Sequence, residues 1–171
     1  MLVIRKEEAK DHGAVYALIK AAFSQAEHSD GTEQDLVDAL RAGDAFIPDL
    51  SLVAEMDGKI VGHILFTAAS VGDVPVLALA PLAVLPGYQG KGIGTALIEE
   101  GHKIAAGAGH AYSVVLGDGG YYSRTGYLPA DRSGIKPPFD VPRENFMARK
   151  LKEDAPSLHG VMRYAKEFGI G

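Results

Sequence analysis

The stretch that most constrains the fold runs from Leu77 to Leu97, where an apolar run leads into a glycine-dense turn and a helical pattern. Gly90, Gly92 and Gly94 let the backbone turn tightly, so that successive N–H groups point into one concavity. The helix that follows adds unpaired amides and the positive end of its dipole. The stretch therefore predicts a strand, a phosphate-binding turn and a helix in succession.

Glycine spacing separates three kinds of phosphate loop. A P-loop requires lysine after its second glycine, and Ile93 stands there when the motif starts at Gly87. A dinucleotide-binding fingerprint that starts at Gly92 places Leu97 where only glycine or alanine packs. The spacing that remains is Gln-x-x-Gly-x-Gly, which starts at Gln89.

This loop resembles the pyrophosphate loop of the GNAT superfamily of N-acetyltransferases, and residues 81–88 are similar to that family's fourth strand and its exit. Residues 121–127, Tyr-Tyr-Ser-Arg-Thr-Gly-Tyr, are similar to the family's aromatic-Tyr-x-x-x-Gly-aromatic segment, a short helix with a glycine cap. The resemblance covers roughly residues 2–151. It is strongest for a bacterial subgroup similar to YhbS, which shares Val-Gly-His, Pro-Leu-Ala-Val and Leu-Gly-Asp segments.

The resemblance implies the α/β GNAT fold, with a mixed, mostly antiparallel sheet, a central parallel strand–helix–strand unit and helices on both faces. Apolar periodicity independently predicts the same order of elements. We expect one domain over residues 1–171, with a core at roughly 2–151 and a C-terminal extension at 152–171. Strands are predicted at 2–5, 52–56, 59–67, 76–85, 112–116 and 146–151, helices at 11–23, after a Thr32 cap and at 92–108, a hairpin at Asp57-Gly58, and a strand or helix in the tail.

Composition excludes several classes of protein. The chain has no cysteine, so it has neither disulfides nor thiolate metal ligands, and its histidines lack metal-ligand spacing. A net charge of −5 argues against nucleic-acid binding, which requires a basic face. No apolar run approaches the ~20 residues of a membrane span, and the N-terminus lacks a signal-peptide pattern, so we expect a cytoplasmic protein.

The resemblance implies direct transfer of an acetyl group from acetyl-CoA to a primary amine. Amides at residues 90–95 can bind the pyrophosphate. Backbone at residues 82–84 can pair with the pantetheine arm if this strand parts from the next one, and Pro81 supports such a break. The predicted cofactor-binding residues are Leu82, Ala83, Val84, Gln89, Gly90, Lys91, Gly92, Ile93, Gly94 and Thr95.

Tyr122 aligns with the tyrosine that the family uses as the acid for the departing thiolate, whereas Tyr121 is expected in the core. The base that removes the proton of the amine stays open. The candidates are water and three side chains: His63, whose structural alternative is a core histidine, Asp118, whose alternative is a helix cap, and Glu55, which would act through water. His28 and Glu33 lie in the N-terminal region that often lines the acceptor pocket in this family.

Two other functions compete with catalysis. One is a non-catalytic module that binds or senses acyl-CoA on the same fold. The other is a dinucleotide- or NTP-binding domain, which the glycine spacing disfavours. The acceptor amine, on a small molecule or a peptide, is not specified by the sequence. Many relatives form homodimers, and the sequence does not decide the oligomeric state.

Overall fold

A nine-stranded mixed sheet organises the chain, and the computed structural model describes residues 1–24 and 29–170. The strands are β1 (Leu2–Lys6), β2 (Phe46–Met56), β3 (Lys59–Val71), β4 (Val74–Val84), β5 (Tyr112–Leu116), β6 (Leu128–Pro129), β7 (Ile135–Lys136), β8 (Phe146–Lys150) and β9 (Gly160–Arg163). The helices are α1 (His12–Phe23), α2 (Glu33–Arg41), α3 (Ile93–Gly107) and α4 (Gly119–Tyr122).

The strands pair mostly antiparallel, with a central parallel pair, β4 and β5, and a short parallel pair, β7 and β9. The main path runs β1-β2-β3-β4-β5-β8-β6, while β9 pairs with both β3 and β7. β4 and β5 are parallel, and α3 is the crossover between them. Asp57 and Gly58, both at positive φ, make the tight turn between β2 and β3. The predicted fold class and hairpin are therefore confirmed.

Alternating side chains of the central strands build a core on each face of the sheet. On one face, Ile64 and Phe66 of β3 pack with Leu97 of α3. On the other face, Leu65 packs with residues of α1 and α2 such as Ile19. Because consecutive residues of a strand point to opposite faces, the unbroken apolar run of β3 requires helices on both sides.

Several element bounds differ from the sequence-based expectation. β2 begins at Phe46 and β3 continues to Val71, because these extensions pair with each other and with β4 and β9 despite weak local patterning. Thr32 stands at the N-cap position of α2, but its hydroxyl hydrogen-bonds Asp30 rather than the helix. The tail forms β9 and then a short 3₁₀ turn. Among the described residues, no helix is long and apolar enough to cross a bilayer.

Helix α3 lies unusually close to the sheet at Gly101. A Cβ atom built on Gly101 would collide with the ring of Phe66, which is fully buried in the core beneath the helix. Gly62 of β3 makes a similar approach, because a Cβ there would lie 3.0 Å from Cδ1 of Leu97. These glycines set how near α3 sits to β3, and thereby where its first turn lies.

We predict that Gly101→Ala and Gly107→Ala change stability in opposite directions. Overpacking against Phe66 should cost about 1–3 kcal/mol at Gly101. At Gly107, where a Cβ meets no atom within 4 Å, alanine should stabilise the helix by about 0.5–1 kcal/mol. Urea unfolding of the two variants measures both effects, and equal shifts would contradict the close packing of α3.

Candidate active site

The sheet opens where β4 and β5 stop pairing. These parallel strands pair only over Leu77–Leu79 and Ser113–Val115, although β4 continues to Val84. Just after the last pair, Ala80 and Pro81 together oppose the single residue Leu65 of β3, which makes a β-bulge. The break that Pro81 predicted is therefore present, and one edge of β4 is left without a strand partner among the described residues.

The backbone groups on this free edge follow from the register with β3. The N–H of Leu85 donates to the carbonyl of Val61, and successive residues of a strand direct their backbone groups to opposite edges. Ala83 therefore faces β3, as Leu85 does. Leu82 and Val84 instead direct their backbone groups toward the free edge, and their side chains lie on the α3 side of the sheet.

The turn between β4 and α3 leaves the start of the helix open. Gly90 and Gly92 have φ values of +75° and +82°, a conformation that favours glycine. The side-chain amide of Gln89 donates to the carbonyl of Val84 at 3.0 Å, which ties the turn to the end of β4. No side chain caps α3, so the first amides of a 15-residue helix are available to an anion.

A cavity of about 390 Å³ joins the free edge of β4 to the N-terminus of α3. It is lined by most of the residues that were predicted from the sequence to bind the cofactor, whereas Ala83 and Lys91 are outside its lining. The lining residues are Leu82, Val84, Tyr88, Gln89, Gly90, Gly92, Ile93, Gly94, Thr95, Tyr121 and Arg124.

Positive charge gathers at this cavity although the chain is acidic. The guanidinium of Arg124 lies 4.9 Å from the centre of the Tyr121 ring. Lys59 and Lys91 place their ammonium groups 5.6 Å from the centre of the Tyr88 ring. Cations over aromatic faces are attracted to the ring, so these contacts hold the charges near the cavity. No local pattern indicates the roles of Tyr88 and Arg124, because these roles depend on tertiary neighbours.

Of the two adjacent tyrosines in the aromatic segment, Tyr121 lines the cavity and Tyr122 does not. Tyr121 packs against the core as expected, but it also lines the cavity, and its hydroxyl lies against Gly94, where a Cβ would collide with it. Tyr122 is outside the lining. Its ring stands edge-on to the rings of Tyr121 at 5.0 Å and Tyr127 at 5.8 Å. A Cβ on Gly117, just after β5, would lie 2.6 Å from Cε2 of Tyr122. This ring therefore lies beside the end of β5, where β5 has separated from β4.

The environment of Tyr122 keeps its hydroxyl protonated. Burial raises the pKa of this phenol well above its usual value of 10, and the nearby Tyr121 and Asp118 raise it further. At neutral pH the group is therefore a hydrogen-bond donor that does not ionise.

His63 is sealed in the core rather than exposed to the cavity. It has no solvent exposure, and its Nε2 lies 3.2 Å from Oγ of Ser51, which donates to Glu7. Glu7 also accepts two hydrogen bonds from Arg41. Burial lowers the pKa of His63 to about 4, since desolvation outweighs the attraction of Glu7. These contacts favour the core interpretation of His63.

The carboxylate candidates also have other partners. Asp118 caps α4, because Gly120 donates to its side chain at 2.8 Å, so the capping interpretation is confirmed. Glu55 accepts a hydrogen bond from Arg5 at 3.0 Å and is outside the lining of the cavity. Glu33 accepts from the Ser29 hydroxyl. His28 lies outside the described residues.

Comparisons with known proteins agree with this geometry. The Acetyltransferase (GNAT) family profile matches residues 13–121. The uncharacterized N-acetyltransferase YjhQ of Escherichia coli K12 is 40% identical over 141 residues, 78% of each protein. The uncharacterized N-acetyltransferase YhbS of the same strain is 32% identical over 171 residues, 98% of each.

Two solved structures share the whole architecture. A GNAT family acetyltransferase from Brucella melitensis, in complex with acetyl-CoA, has a TM-score of 0.82 and 36% identity over 98% of both chains. YhbS from Escherichia coli, in complex with CoA, has a TM-score of 0.89 and 28% identity over 98% of this chain and 92% of that one. The chain therefore belongs to the acetyltransferase (GNAT) family.

Proposed function

We propose that this protein transfers an acetyl group from acetyl-CoA directly to a primary amine of a small molecule or a peptide. The observation that carries the proposal is one cavity that combines the free edge of β4 with the uncapped N-terminus of α3. The acetyl-CoA and CoA bound to the two structural relatives support the identity of the donor.

The residues of the cavity suit the two polar parts of acetyl-CoA. Amides at the start of α3 and the cation of Arg124 would hold the pyrophosphate. Free backbone groups of Leu82 and Val84 would pair with the amides of the pantetheine arm, as a neighbouring strand would. The Val84 carbonyl already accepts from Gln89, so the N–H of Val84 and both groups of Leu82 are the free partners.

The transfer forms a C–N bond and breaks a C–S bond. The attacking nitrogen loses one proton, and the departing sulfur gains one. Acetyl-CoA supplies the activated acyl group, and the chain supplies position and hydrogen bonds. Tyr122, which borders the end of β5, would donate its O–H to the sulfur as negative charge develops there.

None of the three side-chain candidates is a free base for the amine. His63 is sealed, Asp118 caps a helix, and Glu55 is paired with Arg5, so solvent is the favoured proton acceptor. An alkylamine with a pKa near 10.4 is mostly protonated at neutral pH, and removal of that proton costs roughly 4–5 kcal/mol. The protein would then act on the neutral fraction of the acceptor.

Binding tests the anion site. We expect Arg124→Met to weaken acetyl-CoA binding about 10-fold or more, because a charge-assisted hydrogen bond is lost. The exposed Arg132, which is outside the cavity, provides the matched Arg132→Met control, and its affinity should not change. Isothermal titration calorimetry measures both. Failure of the wild-type protein to bind acetyl-CoA would overturn the proposed function.

Turnover tests Tyr122. CoA release from acetyl-CoA is measured with a short alkylamine, a polyamine and a peptide with a free N-terminus. Tyr122→Phe should lower kcat about 100-fold, because the sulfur loses its donor, with little change in acetyl-CoA affinity. The Tyr112 hydroxyl donates to the Pro156 carbonyl outside the cavity, so the control variant Tyr112→Phe should keep the wild-type kcat. Tight binding with no release for any amine would favour a non-catalytic acyl-CoA module.

The pH profile tests the source of the base. With solvent as proton acceptor, kcat/KM for the amine should rise about tenfold per pH unit toward the pKa of the acceptor, near 10.4. No loss of activity should accompany ionisation of Tyr122 below about pH 10, because burial raises its pKa. A plateau that begins well below pH 10 would instead identify a side chain of the protein as the base.

A further inference from the structure

A buried polar chain links α3, β5 and β8 to the aromatic segment. Arg149 of β8 lies 3.0 Å from Nδ1 of His102, and Nε2 of His102 lies 2.8 Å from the Tyr127 hydroxyl. The same hydroxyl lies 2.7 Å from Oγ of Ser113. Tyr127 and Ser113 are fully buried and His102 is 5% exposed, whereas Arg149, at the outer end of the chain, is half-buried.

The directions of the two hydrogen bonds made by His102 follow from its partner Arg149. Arginine can only donate, so Nδ1 of His102 accepts and the neutral ring carries its proton on Nε2. His102 therefore donates to the Tyr127 oxygen, whereas either hydroxyl can donate in the bond between Tyr127 and Ser113. The Tyr127 hydroxyl is thus tied to two different elements, α3 and β5.

Tyr127 in turn holds Tyr122 at two points. The Tyr127 amide donates to the Tyr122 carbonyl at 3.4 Å, and the Thr125 hydroxyl donates to the same oxygen at 2.9 Å. The two rings meet at 84° with centroids 5.8 Å apart. Arg149 closes the arrangement, because it also donates to the Thr125 carbonyl at 2.7 Å.

We propose that Tyr127, anchored by His102 and Ser113, is a positioning residue that orients Tyr122 for acetyl transfer. This role rests on the proposed function, since Tyr122 is the group that it serves. An edge-to-face contact restrains a ring only if its neighbour is itself immobile. The polar anchor supplies that immobility at Tyr127, which is fully buried in the core cluster against which Tyr122 packs.

The test is a double-mutant cycle between Tyr127 and Tyr122. Tyr127→Phe keeps the ring and removes the anchored hydroxyl. With the amine that gives the fastest CoA release in the wild-type protein, it should lower kcat about 10-fold while the KM for acetyl-CoA stays unchanged. In the Tyr122→Phe background the same substitution should have no further effect on kcat, because there is no hydroxyl left to orient.

A second pair of variants guards against general loss of folding. His102→Leu removes the donor to Tyr127 and should reproduce the 10-fold loss. His102→Gln, whose amide can donate to Tyr127 and accept from Arg149, should recover most of the wild-type kcat. Near-ultraviolet circular dichroism monitors the rings directly, because the chain has seven tyrosines and no tryptophan.

The outcomes separate the two proposals. If Tyr122→Phe lowers kcat but Tyr127→Phe has no effect, or lowers kcat equally in both backgrounds, the positioning role is overturned and the proposed function stands. If His102→Gln is as impaired as His102→Leu, the hydrogen-bonded anchor is likewise overturned. If Tyr122→Phe leaves kcat unchanged, the roles of Tyr122 and Tyr127 both fall while acetyl transfer itself stands. If the wild-type protein releases no CoA with any amine, both proposals fall.

Discussion

Parting of β4 from β5 is the constraint on which the candidate site depends. A parallel pair joined by a crossover helix brings the carboxyl end of one strand and the start of the helix to the same edge of the sheet. Had the ladder continued beyond Leu79, β5 would cover the backbone of Leu82 and Val84. Because it stops there, free strand groups and free helix amides face one cavity. The bulge at Ala80 and Pro81 marks the point of separation.

Local electrostatics at this edge oppose the net charge of the chain. A net charge of −5 repels a polyanion at long range, but salt screens that repulsion beyond about 10 Å. Inside that distance, the cations of Arg124, Lys59 and Lys91 and the start of α3 dominate. The aromatic rings of Tyr88 and Tyr121 hold these three cations beside the cavity. Within residues 1–24 and 29–170 none of the three forms an ion pair with a carboxylate. An anion site can therefore coexist with an acidic surface.

The parts of the site that could be predicted are those whose chemistry is local. The Gln89 turn, the Asp57-Gly58 hairpin and the Asp118 cap depend on neighbours within a few residues, and the structure contains each of them. The break in strand pairing at Pro81 could also be predicted, because proline lacks the N–H that hydrogen-bonds a neighbouring strand.

Side chains whose surroundings come from distant parts of the chain could not be predicted. The sequence leaves His63 open as a base, because the groups beside its Nε2, Ser51 and Glu7, lie on distant parts of the chain. Tyr121 and Tyr122 are adjacent in sequence, so periodicity alone could not say which ring lines the cavity. The extent of β3 likewise depends on pairing with β9, which is about 90 residues further along the chain.

The burial of Tyr122 explains why its orientation matters more than its acidity. A phenol whose pKa is raised gives up its proton less readily, so burial makes Tyr122 a poorer acid. It remains a hydrogen-bond donor at every pH at which the reaction could run, and the proton that ends on sulfur can come from the attacking nitrogen through solvent. A group that acts by donating a hydrogen bond depends on the distance and angle of that bond, because the bond weakens steeply when the two groups are misaligned. A rigid neighbour such as Tyr127 is therefore the kind of support that this chemistry requires.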